Sequence, residues 1–311
     1  MKVLFAGTPE AAVPTLRALH ESSHEVVGVL TRPSARRGRG RTLHPSPVAV
    51  FAREHELPLI EANSVKSEPV QREIQEAGAQ LGVVVAYGAI IPQTLLDALE
   101  HGWINAHFSK LPRWRGAAPV QRAIEAGDTH TAVDVFELEA SLDTGDIYRS
   151  EPVAISNDVT GQDLLAHMSE VAAPLVTDVV DAIAAGTAQP TGQPNSGATY
   201  AHMVDTKQLA LDFTATAQQV HNKVRAWAPT PGTYTTLPDG ARMKVLSTRI
   251  PGGATLRPGE LQVSKHAVLV GTGSGDLELL TVAPAGKKPM RAADWARGAR
   301  LGEHAILGVN Q

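Results

Sequence analysis

Apolar strand-like runs alternate with amphipathic helical stretches over residues 1–185, which predicts an open, doubly wound, mostly parallel (Rossmann-like) α/β sheet. Beyond residue 205, short strands at close spacing are broken by turn signals at PDG, PGG and GSGD, and these predict a small β-barrel. Between them GTAQPTGQPNSGATYAH, from Gly186 to His202, is rich in Gly, Pro, Ser, Thr and Gln and reads as a linker. The expected plan is a first domain over 1–185, a linker over 186–204 and a second domain over 205–311.

KVLFAG is a β-rich run ending at a glycine, PEAAVPTLRALHES has a helical pattern, and EVVGVLT is strand-like again. Strand, helix, strand is a βαβ unit, which requires parallel pairing and a right-handed crossover. The arginine-rich loop RPSARRGRGR follows, then a helix through PVAVFAREHE, a short strand PLIEA and a helix around VQREIQEAG. LGVVVAYG is a continuous apolar run, as in a strand buried on both faces. A helix over PQTLLDALE separates it from the strand WINAHFS. Strands DVFELEA and DIYRSEPVAI and a helix from Gln162 to about Ala184 complete the first domain. After the linker, a helix in TATAQQVHNKVRAW precedes the barrel strands.

The 311 residues are 43% hydrophobic and 19% charged, the balance of a soluble globular protein. There is no cysteine, which excludes a disulfide framework and cysteine-ligated zinc and suits a reducing compartment. The first apolar run is too short for an export signal, and no run approaches a membrane span, so a cytoplasmic protein is expected. The net charge of −4 is unevenly divided. Residues 205–311 hold 13 Lys and Arg against 8 Asp and Glu, residues 1–204 hold 15 against 24, and five basic residues lie within 32–41. That asymmetry is compatible with a polyanion engaging both parts, but on charge alone it reads more readily as an ordinary solvated surface.

In open α/β sheets, ligands bind beyond the carboxyl ends of the strands. AGTPE after the first strand lacks the G-x-G-x-x-G spacing, so a dinucleotide is a poor fit. Three other segments hold suitable polar groups: AYG at 86–88, NAHFS at 105–109 and SLDTGD at 141–146. On an extended segment Asn105, His107 and Ser109 share one face while Ala106 and Phe108 point into packing. An Asn amide and a protonated imidazole both donate to an oxygen gaining negative charge, and a carboxylate such as Asp143 can orient the imidazole. Ser109 is not set in a G-x-S-x-G elbow, and neither a cysteine nucleophile nor a metal is indicated. The chemistry suggested is acyl transfer to an external nucleophile. Taken alone, an Asn-x-His pair reads more readily as a structural pair closing a loop.

NAHFSKLPRWRG followed by SLDTGD resembles the signature of the folate-dependent formyltransferases, N-x-H-x-S-L-L-P-x-x-R-G with a later L-D-T-G-D. FAGTP, RGRGRTLHPSPV, VVVAYG, LPRWRGAAPVQ, RAWAPTPG and GKKPMRAADWARG are similar, in order from Met1 almost to Leu301, to the branch that acts on methionyl-tRNA. The resemblance implies a catalytic triad of Asn105, His107 and Asp143, with no metal. It implies a folate site lined by Ser109, Lys110, Leu111 and Pro112, with Tyr87 and Gly88 nearby. The donor would be 10-formyltetrahydrofolate and the acceptor the α-amino group of methionine on initiator tRNA. Arg36, Arg37, Arg39 and Arg41 match the loop that enters the acceptor arm in that family. The second domain would be an OB-like barrel, with Lys287, Lys288 and Arg291 as phosphate contacts or as a solvated turn, and the protein a monomer.

Four places depart from the family pattern. Lys110 stands where Leu is usual, Phe108 where a small residue is usual, Ala132, Val133 and Asp134 where Gly-Val-Thr is favoured, and Ala140 and Ser141 where Glu-Gly is favoured. These bear on the folate pocket and on the loop before Asp143. Three other functions share parts of the pattern: a formyltransferase acting on a small amine, a 10-formyltetrahydrofolate hydrolase, and an RNA-binding protein with a vestigial catalytic domain.

Overall fold

The computed structural model describes residues 1–37, 42–253, 256–299, 301–302 and 305–308. In chain order the elements begin with β1 (Lys2–Gly7), α1 (Val13–Glu21), β2 (Glu25–Thr31), β3 (Ala35–Arg37), β4 (Thr42–His44), α2 (Pro47–Glu54) and β5 (Leu59–Glu61). Next come α3 (Glu68–Glu76), β6 (Leu81–Val85), α4 (Gln93–Leu96), β7 (Trp103–His107), β8 (Arg115–Gly116), α5 (Pro119–Ala126), β9 (His130–Glu137), β10 (Ile147–Ala154), α6 (Gly161–Ala184) and β11 (Tyr200–Ala201). The C-terminal residues add α7 (Ala217–Trp227), β12 (Thr233–Thr236), β13 (Arg242–Arg249), β14 (Leu261–Val263), β15 (Val268–Gly271), β16 (Asp276–Pro284), β17 (Met290–Arg291) and α8 (Ala292–Gly298).

These form two compact units: Met1–Pro119 with His130–Ala154 and Leu165–Ala201, and Val120–Thr129 with Ile155–Leu164 and His202–Gln311. The first is built on a seven-stranded sheet in the order β10-β9-β7-β6-β1-β2-β5. β7, β6, β1, β2 and β5 run parallel, and β9 and β10 close one side antiparallel. Val3 to Ala6 of β1 have no exposed surface, which is why that strand reads as an unbroken apolar run. α2 starts where the Ser46 hydroxyl accepts from the Ala49 amide at 2.9 Å, with Pro47 at the first helical position.

Three features of this unit differ from the sequence reading. α4 is far shorter than the helix expected over PQTLLDALE: the Trp103 indole donates to the Leu95 carbonyl at 2.7 Å, and Gly102, at φ +65°, turns the chain into β7. The arginine-rich loop begins and ends as an antiparallel ribbon, β3 with β4. The stretch from residue 186 to Ala201, expected as linker, belongs to the first unit, because β11 pairs in parallel with β8.

In the second unit the strand order is β12-β13-β16-β15-β14 with β17 beside β16, all antiparallel. Leu211, Phe213, Val220, Met243, Val245, Val270, Leu277 and Trp295 share one core there. α7 opens with a reciprocal capping box between Thr216 and Gln219. Arg225 on α7 donates to the carbonyls of Ser156 and Val159, and the Trp227 indole reaches Glu125 at 3.2 Å, which ties the two early segments to this unit. Among the described residues the six strands form an antiparallel sheet whose pairing does not close into a barrel.

Candidate active site

β7 ends between two neighbours that fix its register: Asn105 is opposite Val84 of β6 and Phe136 of β9, and His107 is opposite Asp134 of β9. Strand alternation puts Asn105, half-buried, and His107, buried, on one face. His107 Nε2 lies 2.9 Å from the Trp114 carbonyl. A carbonyl can only accept, so Nε2 carries the proton and the ring is held by that backbone oxygen. Phe136 meets the imidazole edge-on, with ring centroids 6.3 Å apart.

Nδ1 of His107 faces Asp143 Oδ2 at 3.9 Å, too far for a direct hydrogen bond. The sequence reading had Asp143 orient the imidazole, whereas here the Trp114 carbonyl does so. Asp143 Oδ2 instead accepts from the Gly116 amide at 2.7 Å. An imidazole nitrogen and a carboxylate oxygen at that separation can both reach a single small group lying between them.

Asp143 sits at φ +53°, a left-handed conformation uncommon for a residue with a Cβ, and its surroundings over-determine it. The Gln193 side-chain amide donates to the carbonyls of Asp143 and Gly145, each at 2.9 Å, and accepts from Arg115 Nη2 at 2.6 Å. Gly145 passes so close to Glu137 that an added Cβ would lie 1.9 Å from its carbonyl oxygen. Thr199 receives the Trp114 amide on its hydroxyl and the Arg115 amide on its carbonyl, both at 2.9 Å. The Ala201 carbonyl accepts from the amides of Ala117 and Ala118. Sequence reasoning missed Gln193 and Thr199. They lie in a stretch whose composition says only loop, and their role depends on the β8–β11 pairing.

Of the residues expected to line a folate site, Ser109, Lys110 and Leu111 are each held by a hydrogen bond to their surroundings. Ser109 is fully buried and donates to the Arg113 carbonyl at 2.7 Å, closing the turn after β7. Lys110 is exposed and donates to the Ser150 hydroxyl at 2.8 Å. Leu111 and Pro112 are buried, joined by a cis peptide bond, and the Leu111 amide donates to Asp134 Oδ2 at 2.8 Å. The Tyr87 ring packs in the core with Leu4, Ile91 and Trp103, and burial pushes its phenol pKa up. Its carbonyl accepts from the Thr8 hydroxyl at 2.8 Å. Gly88, at φ +82°, has open space where a Cβ would project.

Arg36 is exposed on β3, and Arg37 follows on the same strand. Arg39 and Arg41 lie outside the described residues. Lys287 and Lys288 are exposed in the turn between β16 and β17, and Arg291 is exposed at the end of β17. Among the described residues no group of three or more His, Asp or Glu is placed to hold a metal, and no helix is long and apolar enough to cross a membrane.

Comparison with known proteins gives this arrangement a family. Residues 1–180 match the formyl transferase family and residues 203–300 match the formyl transferase C-terminal domain. The chain is 48% identical to a methionyl-tRNA formyltransferase from Cutibacterium acnes, over 97% of this chain and 98% of the relative. Among solved structures, HypX from Aquifex aeolicus superposes with a TM-score of 0.68 at 16% identity, over 97% of this chain but only 48% of HypX. WlaRD, a sugar 3N-formyl transferase crystallised in the presence of dTDP and 5-N-formyl-THF, superposes with a TM-score of 0.65 at 15% identity, over 93% of this chain and 99% of that one. The two structures share the fold, the near full-length relative shares nearly half of its residues, and the chain belongs to the formyl transferase family, in its methionyl-tRNA formyltransferase branch.

Proposed function

We propose that the protein transfers the formyl group of 10-formyltetrahydrofolate to the α-amino group of methionine on initiator methionyl-tRNA, and that Asn105, His107 and Asp143 carry the reaction. The observation that supports this most directly is the shared face of Asn105 and His107, with Asp143 Oδ2 3.9 Å from the imidazole Nδ1. The methionyl amine attacks the formyl carbon, and the carbonyl electron pair moves onto oxygen. Asn105 Nδ2 and protonated His107 stabilise that oxyanion, while Asp143 takes a proton from the amine. The oxyanion pair then re-forms the carbonyl, the bond from carbon to N10 of the folate breaks with its electron pair left on N10, N10 takes up the proton that Asp143 received, and tetrahydrofolate leaves. The donor is already activated, so positioning and electrostatics supply the rate.

The role of each part follows from this reading. Residues 1–185 carry the chemistry, 186–204 connect while bracing Asp143, and 205–311 form an OB-like platform for tRNA. Ser109–Pro112, with Tyr87 and Gly88, shape the folate site through the course of their backbone. Arg36, Arg37, Arg39 and Arg41 contact the acceptor arm, and Lys287, Lys288 and Arg291 contact phosphates further along. The enzyme works as a cytoplasmic monomer.

The deciding experiment follows formyl transfer from 10-formyltetrahydrofolate to initiator methionyl-tRNA, beside elongator methionyl-tRNA and a control without tRNA. Transfer to the initiator is expected. Formate release without tRNA, and no transfer to either RNA, would replace this reading with a hydrolase.

A further inference from the structure

Two of the departures from the family pattern meet in space. Asp134 on β9 stands directly opposite His107 on β7, and directly opposed residues of an antiparallel pair project from the same face. Asp134 has no exposed surface. Its Oδ2 accepts from the Leu111 amide at 2.8 Å and its Oδ1 from the Ser150 hydroxyl at 2.5 Å. That hydroxyl also accepts from Lys110 Nζ at 2.8 Å. An exposed ammonium therefore reaches a buried carboxylate through one hydroxyl, and the carboxylate grips a peptide nitrogen inside the segment Ser109–Pro112. Burial pushes the Asp134 carboxyl up, against the hydrogen bonds from Ser150 and Leu111 and the charges of Lys110 and His107. Those groups face it from the loop after β7, from β7 itself and from β10.

We propose that Asp134 is a positioning residue of the formyl-transfer site: it fixes the donor-binding segment through Leu111 and places a second carboxylate on the face that carries His107, with Lys110 as its counter-charge through Ser150. Lys110 and Asp134 then act as one unit, which gives both departures a single purpose. The inference rests on the reading of Ser109–Pro112 as folate-binding.

The test uses the full chain with Asp134→Asn, Lys110→Leu and the double variant. The readouts are tetrahydrofolate binding by calorimetry and the KM for the donor set against kcat. Asp134→Asn is expected to weaken tetrahydrofolate binding and raise the donor KM by roughly 3- to 10-fold, the scale of one lost charge-assisted hydrogen bond. Its kcat at saturating donor is expected to stay within about twofold, so that the loss falls on KM. Lys110→Leu weakens binding only while Asp134 is present, so the double variant binds no worse than Asp134→Asn. A folded Asp134→Asn protein with unchanged tetrahydrofolate binding and an unchanged donor KM overturns the proposal. If Asp134→Asn does not fold, Lys110→Leu decides by the same binding measurement, and an unchanged affinity overturns it. If the unsubstituted protein binds tetrahydrofolate but formylates no tRNA, the assignment of the acceptor fails alone and the binding arm still decides.

Discussion

Two segments that follow strands of the first unit are treated in opposite ways. Ser109–Gly116, after β7, is gripped from every side: Asp134 holds Leu111, Thr199 holds Trp114 and Arg115, and Asp143 holds Gly116. The ribbon of β3 and β4, after β2, pairs its backbone with itself, and Arg36 and Leu43 are exposed, Leu43 to 64%. On the proposed reading, donors that must meet a developing charge stabilise it only if they are already in place, which suits a clasped first segment. On the same reading, cations that meet a long polyanion need reach and hydration instead, which suits an exposed ribbon.

The sharpest way to break the comparison is at the reacting face. Asn105→Ala or His107→Ala should lower kcat for formyl transfer by ~10²–10³-fold, the cost of one oxyanion donor, with the unfolding midpoint little changed. A near-normal rate in either folded variant would remove these residues from the chemistry. Next in size is the clasp itself. Gln193→Ala deletes the two part-buried hydrogen bonds that hold the Asp143 and Gly145 carbonyls and the one it accepts from Arg115, so turnover should fall about 10-fold, the scale of losing such bonds at ~0.5–1.5 kcal/mol each. Full turnover in that variant would mean that Asp143 holds its backbone without help.

Arg36→Ala sharpens the other side. The KM for tRNA should rise about 5-fold while kcat at saturating tRNA stays unchanged, and the log–log dependence of affinity on salt should become shallower by about one. An unchanged salt slope would leave the open ribbon without its polyanion.

The smallest effect is on stability. Burial holds the Asp134 carboxyl above its ordinary value. Between the unfolded and folded values the native state binds more protons, so this group's contribution to stability declines as pH rises through that window, by at most ~1.4 kcal/mol per pH unit. Asp134→Asn removes that decline. Relative to the unsubstituted protein its unfolding midpoint should gain as pH is raised from about 4, even while its donor binding weakens. A variant losing both together would mark Asp134 as a purely structural residue.

Much of this was legible in the chain. Continuous apolar runs announce strands buried on both faces, and β1 and β6 are such strands. The period-two spacing of Asn105 and His107 announces a polar face on a strand end, and SLDTGD points to Asp143 once the family pattern is seen. What escaped depends on backbone atoms meeting across long separations. The carbonyl that orients His107 belongs to Trp114, and the amide that takes up Asp143 belongs to Gly116; neither depends on side-chain identity. Gln193 sits fifty residues beyond the aspartate it braces, in a stretch whose Gly and Pro content reads only as connection. The short α4 escaped for a related reason, since a tryptophan eight residues downstream takes the Leu95 carbonyl.

The position of Gln193 has a consequence for synthesis. A nascent chain that has emerged from the ribosome only through α6 already contains all seven strands of the first sheet and every side chain assigned to the reaction. It still lacks the amide that braces Asp143 and the residues that anchor Trp114. Gln193, Thr199 and Ala201 come only with the next seventeen residues, so the chain holds every strand of that sheet before it holds the contacts that brace Asp143 and Trp114.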